Sequence, residues 1–169
     1  MKKIWLSVFI VLGYTAVGAQ EVDTVPPYKK DPNIPAFLIQ QADSSWFSLN
    51  ELPKYDYTTI IYFSPTCGHC QIMAKDIASH KDSLKNMFFV FVSFNPLSEI
   101  KVFSSDYGLD EMINLRIGRD PKYDIPAFYR VQFTPFTAIY DSNRKLIRVY
   151  DPPHNTAEVA DLIQLTYKQ

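Results

Sequence analysis

Long apolar runs alternate with short polar breaks along this chain, and the period of each run separates strands from helices. Residues 58–63 (TTIIYF) and 87–94 (MFFVFVSF) are unbroken apolar or β-branched stretches, the composition of strands covered on both faces. Between them Met73, Ile77 and Leu84 fall at helical spacings, with Lys75, Asp76, Lys81 and Asp82 on the other side. This predicts a helix that begins at the cysteine pair preceding Met73. Upstream, residues 36–40 and 45–49 flank Ala42, Asp43 and Ser44, the pattern of a hairpin with a polar turn. Downstream, Asn95 is suited to cap a helix and Pro96 to its first position; that helix is expected to run to Tyr107 and stop at Gly108. Residues 112–117 read as a short strand, and Asp120 and Pro121 open a Pro-interrupted helical connection to Val131. Residues 137–140 and 146–150 form a second predicted hairpin around Asp141, Ser142 and Asn143. Asn155 followed by Glu158 is a capping-box variant, and Val159, Leu162 and Ile163 supply the apolar stripe of a last helix. The alternation indicates an α/β fold, a mixed β-sheet covered by helices on both faces.

The two ends of the pattern bear on compartment. Lys2 and Lys3 precede an apolar run over residues 4–12, and Val17, Gly18 and Ala19 are the small residues preferred before a signal-peptidase cut. Residues 1–19 therefore read as a cleaved secretory signal, because the run is interrupted by Gly13, Tyr14 and Thr15 and falls short of the roughly 20 apolar residues a span needs. A periplasmic or secreted location is the expectation, with no membrane span after cleavage. Residues 20–34, with Pro26, Pro27 and Pro32, show no period and are read as an extended, disordered lead-in to a domain over residues 35–169. Removing 19 of 169 residues leaves a length that supports one well-buried domain. Two lysines and no acids leave with the signal, so the net charge moves from −1 to −3 with both signs scattered, which is unlike a nucleic-acid surface. Aromatic content is 15%, which points to an aromatic-rich core, and a monomer is expected.

The stretch FSPTCGHCQ, residues 63–71, carries both cysteines of the chain. A structural disulfide is the ordinary use of two cysteines in a secreted protein. Closing a loop of about four residues is worth roughly 2 kcal/mol, against roughly 4.7 for one of about 100, so a stabilising bridge would sit elsewhere. A closed zinc site needs four ligands, and only His69, His80 and His154 accompany the pair; His80 suits the end of a helix, where a cation meets the dipole favourably. What remains is chemistry that needs two adjacent but unequal sulfurs. At the amino terminus of a helix Cys67 would be the exposed nucleophile, favoured as a thiolate by free N–H groups. Cys70, one turn further in, would resolve a mixed disulfide, and the His69 imidazole would favour the thiolate further. The redox-active pair itself would then be the only prosthetic element, with no metal and no separate cofactor.

A strand, then FSPTCGHC, then a helix resembles the active site of the thioredoxin superfamily, and the CGHC tetrapeptide is similar to that of protein disulfide isomerase domains. A second element stands in order: YRVQFTPFTAIYDSNRKLIRVY, residues 129–150, resembles the stretch that supplies the superfamily's cis-proline. Pro135 matches that proline and Thr134 the residue before it. A proline there would leave neighbouring backbone groups free to pair with an extended substrate, with Thr134 touching the incoming peptide. The 67 residues between Cys67 and Pro135 leave room for an inserted βα unit, and with the leading hairpin and the signal the chain resembles the TlpA/ResA-type branch of exported thiol-disulfide oxidoreductases. The resemblance implies a thioredoxin-like fold with a central mixed β-sheet flanked by helices, an N-terminal β-hairpin and that inserted unit. It also implies exchange with protein thiols or disulfides, and a redox partner that resets the site.

Two positions depart from the pattern. Where many thioredoxins place a buried acid that moves the proton of the second cysteine, this chain has Ile61, so release of Cys70 must use water, another carboxylate or the partner. Thr66 replaces the tryptophan usual before the first cysteine and alters the rim of the partner groove. Three other readings carry less weight. Copper delivery by a thioredoxin fold would use Cys67, Cys70 and His154. Against it, Sco-like proteins space their cysteines more widely, and His154 follows Pro152 and Pro153 in a turn. Peroxiredoxins need a Thr and a Pro at fixed upstream positions; here Thr66 adjoins Cys67 and residues such as Tyr62 and Ser64 stand upstream, so that site is absent. A binding module with minor turnover is the third. The direction of electron flow depends on a potential that no residue pattern supplies.

Overall fold

The computed structural model describes residues 24–152 and 157–167. Its centre is a seven-stranded mixed sheet in the order β2-β1-β5-β4-β3-β6-β7. The strands are β1 (Leu38–Gln40), β2 (Trp46–Ser48), β3 (Tyr57–Tyr62), β4 (Met87–Ser93), β5 (Leu115–Arg119), β6 (Phe136–Asp141) and β7 (Leu146–Tyr150). Strands β3, β4 and β5 run parallel, Thr58 opposite Phe88 and Phe89 opposite Leu115. Strand β6 closes antiparallel on β3, with Ile61 opposite Thr137. The helices are α1 (Pro27–Lys30), α2 (Gly68–Ser79), α3 (Leu97–Asp106), α4 (Asp124–Tyr129) and α5 (Val159–Thr166).

Both faces of the sheet are covered, which is why β3 and β4 are apolar without alternation: every residue of β4 is buried. On one face Ile61, Phe63, Phe89, Phe91 and Ile139 pack with Cys70, Met73 and Ile77 of α2, Phe103 of α3 and Leu162 of α5. On the other, Ile60, Tyr62, Val90, Ala138 and Tyr140 pack with Ile125 and Tyr129 of α4 and with Ile34, Phe37 and Phe47 of the amino-terminal arm and hairpin. These are the layers of a thioredoxin-like fold.

Four local expectations are corrected. The segment 112–117 is not one strand: a 3-10 turn, Leu109–Glu111, is followed by an exposed Ile113, and pairing with β4 begins only at Leu115. The reason is non-local, since the buried Asn114 side chain donates to the carbonyls of Leu84 and Met87 and pins the strand's start. Asn95 does not cap α3; Pro96 holds the N-cap position, while Asn95 donates from Nδ2 to Glu99 at 2.8 Å. Gly108, at φ +70, ends that helix in the left-handed region where a side chain is strained. The capping box of α5 uses Glu158 and Asp161 rather than Asn155 and Glu158, and Asn155 lies outside the described residues. Finally, from Thr24 onward the lead-in is docked rather than loose. Tyr28 packs on the rings of Tyr129 and Phe136, and Asn33 pairs with Lys145 beside β7. The expected signal, residues 1–19, lies outside the described residues.

Candidate active site

Strand β3 delivers the chain to the carboxyl edge of the parallel strands, where Phe63 still donates its N–H to Val92 at 2.9 Å. Residues 64–66 then turn sharply. The Cys67 N–H returns to the Ser64 carbonyl at 3.1 Å, and Gln71 Nε2 fastens the Pro65 carbonyl at 2.9 Å. Gln71 has no place in the motif, and only its position one turn inside the helix could have marked it.

Cys67 is the N-cap of α2, with extended backbone at φ −81 and ψ 116. Its neighbours on the helix leave it open: a Cβ added at Gly68 would meet nothing within 4 Å. Cys67 is part-buried, whereas Cys70, one turn on, is 2% exposed. Both are free thiols. The Cys67 Sγ lies 3.4 Å from the Thr134 carbonyl oxygen, so the loop before β6 touches the sulfur directly. The Thr134–Pro135 peptide bond is cis. Pro135 is buried, Thr134 half-buried, and Phe133 on the same loop is 51% exposed.

The two thiols are held apart in acidity. Burial on its own raises Cys67. Hydrogen bonds from the Cys70 thiol, from the Thr134 side chain and from the N–H groups of Cys70 and His69 outweigh it and hold Cys67 below the ordinary thiol value. For Cys70 burial dominates, the hydrogen bond to Cys67 acts in the same direction, and the thiol is pushed up to about 12. Cys67 is therefore the sulfur that ionises more readily, while its neighbour stays protonated.

The His69 ring is exposed, and His69 bears on Cys67 through its backbone N–H. Helix geometry explains this, because N–H groups of the first turn point back at the N-cap while side chains radiate away. The imidazole instead borders a groove of about 470 Å3 between α2 and α5, with Ile72, Asp76, His80 and Ile163. Thr66 is exposed and borders a second groove of about 360 Å3, shared with Val102, Phe103 and Tyr107 of the α3 side. Cys67 thus stands between two grooves. Ile61 is fully buried in the cluster that contains Cys70, so the place under the second sulfur is aliphatic. Among the described residues no group of three His, Cys, Asp or Glu side chains could hold a metal, and His154 lies outside them.

The acidity gap has a direct readout. Iodoacetamide is expected to label one thiol per folded, reduced chain at neutral pH, Cys67 by mass spectrometry. Only the thiolate reacts, so the rate rises with pH through the Cys67 pKa, and its midpoint is expected below the ordinary thiol value. A midpoint at or above that value would contradict the geometry.

Comparison with known proteins agrees with this architecture. The model of the AhpC/TSA family matches residues 31–161. No match is found among curated proteins. Among solved structures, a secreted disulfide oxidoreductase of Mycobacterium tuberculosis, described as homologous to E. coli DsbE, superposes with a TM-score of 0.65 at 17% identity, covering 79% of this chain and 96% of that one. A putative protein disulfide isomerase from Bacteroides thetaiotaomicron gives 0.61 at 23% identity, covering 79% and 84%. A peroxiredoxin-like protein from Aquifex aeolicus gives 0.64 at 14% identity, covering 79% and 83%. At these identities the structural likenesses speak to the thioredoxin-like fold, and the family match speaks to descent. With 131 consecutive residues under that match, the chain belongs to the AhpC/TSA family.

Proposed function

We propose that this protein is a thiol-disulfide oxidoreductase of the cell envelope, cycling Cys67 and Cys70 between dithiol and disulfide against protein thiols. The observation that carries the reading is the unequal pair: an accessible thiol whose pKa is held below the ordinary thiol value beside a buried one pushed up to about 12. In the reducing direction the Cys67 thiolate attacks a sulfur of a substrate disulfide, forming a mixed disulfide and releasing one substrate thiolate. Cys70 then attacks Cys67 Sγ, its proton passing to the second departing thiolate, and the internal disulfide closes. The oxidising direction is the reverse of the same steps. Thr66, Thr134 and Pro135 would line the partner cleft, which continues into the two flanking grooves. The envelope location rests on the signal-like residues 1–19, and the family match spans most of the proposed thioredoxin-like domain over residues 35–169.

Trapping tests it. Cys70→Ser retains the attack but not the resolution, so it is expected to accumulate covalent, dithiothreitol-sensitive adducts with envelope proteins, visible on non-reducing gels. Cys67→Ser,Cys70→Ser should give none. Absence of adducts in the single variant, or peroxide consumption faster than exchange with protein disulfides, would overturn the assignment in favour of another chemistry.

A further inference from the structure

Ile61 leaves the resolving step without the acid that would help Cys70 ionise, yet the same layer is not wholly apolar. Side chains alternate along β3 and β6. Ile61 and Ile139 face the α2 cluster that contains Cys70, whereas Ile60, Ala138 and Tyr140 face the opposite one. Thr59 and Thr137 therefore point to the Cys70 side. Both are fully buried, and neither hydroxyl has a hydrogen-bond partner among protein atoms. A buried unpaired hydroxyl costs stability, and valine would fit the same space without that cost. Thr137 is the one nearer the cysteines. It is the cross-strand partner of Ile61, and it follows by three residues the Thr134 carbonyl that lies against Cys67 Sγ. Thr59 pairs with Ile139, two residues further from that edge.

We propose, on the exchange reading above, that the Thr137 hydroxyl is the hydrogen-bond donor that stabilises the Cys70 thiolate during resolution, across one bridging water molecule. When Cys70 loses its proton and attacks Cys67 Sγ, the hydroxyl keeps its own proton and offers it to the developing negative charge. The proton shed by Cys70 goes to the departing thiolate or to solvent, so Thr137 is no general base. The titratable members of this apolar cluster are Cys67, Cys70, Tyr57, Tyr107 and Tyr150, and Asp161 acts on Tyr150 from α5. Asp120, the buried carboxylate among the described residues, accepts from the N–H groups of Lys122 and Ile125 and interacts with Tyr62, which faces the other cluster.

Stopped-flow reaction of the reduced full chain with 5,5′-dithiobis(2-nitrobenzoate) separates the steps. The first equivalent of coloured thiolate reports Cys67 attack and the second reports Cys70 resolution. Thr137→Val is expected to leave the first phase unchanged, slow the second about tenfold at neutral pH, and move the pH profile of the second phase upward. Thr137→Ser, which keeps the hydroxyl, is expected to recover most of the rate. Thr59→Val, equally buried but further away, should have the smaller effect. An unchanged second phase in Thr137→Val, or a Ser variant as slow as the Val variant, overturns the inference while the exchange reading stands. Release of only one equivalent by the wild type overturns the exchange reading and this inference with it.

Discussion

Cys67→Ser protein is expected to reduce insulin disulfides no faster than dithiothreitol alone, while the wild type accelerates the precipitation of the freed chains. The loss is complete rather than graded because a serine oxygen cannot form the mixed disulfide through which the electrons pass. Nothing else in the neighbourhood can substitute. Cys70 is 2% exposed and its thiol is pushed up to about 12, so it offers neither access nor thiolate at neutral pH. The folded state should survive the change, since Cys67 is part-buried and at the N-cap, where serine is well tolerated. Equal turnover by the two proteins, with matched circular dichroism and melting temperature, would remove the catalytic assignment and leave a binding module.

The largest effect on stability is expected at Phe63, the last buried residue before the active-site turn. Its ring is 1% exposed, stacked at 4.6 Å from Phe103 of α3 and 5.7 Å from Phe91 of β4. Truncation to alanine removes both aromatic contacts and opens a cavity that β3, β4 and α3 cannot collapse together. Such truncations cost about 3–5 kcal/mol, a large part of the roughly 5–15 kcal/mol that holds a domain folded. Urea unfolding of reduced protein should show a midpoint lowered accordingly with little change in slope. A loss below about 1 kcal/mol would mean that the Phe63 site is looser than its burial indicates. Cys67 reactivity in Phe63→Ala should also become less pH-selective, because the turn that sets the helix start hangs on this ring.

The elements legible in advance are those whose cause is local. The continuous apolar runs of β3 and β4, the helical spacing of Met73 and Ile77, and the turn between β6 and β7 each record their own surroundings in composition and period. The misplaced boundaries share a different cause. The start of β5 is set by Asn114 reaching carbonyls about 30 residues away, and the docking of the arm by Tyr28 meeting Tyr129 and Phe136. In the site, the CGHC spacing marked both sulfurs, whereas the backbone N–H of His69 acting on Cys67 was not legible in it.

By itself the sequence determined the order of strands and helices, the cysteine pair at a helix start, and Ile61 where an acid is often found. Those are properties of neighbours along the chain, written in period and spacing. Only the tertiary structure decided that the Thr134 carbonyl meets Cys67 and that the hydroxyls of Thr59 and Thr137 lie unpaired on the Cys70 side. Acidity and access are set by what packing removes from water and by which dipoles it aims at a sulfur. Both are fixed by contacts between segments far apart in the chain, such as the 67 positions separating Cys67 from Thr134.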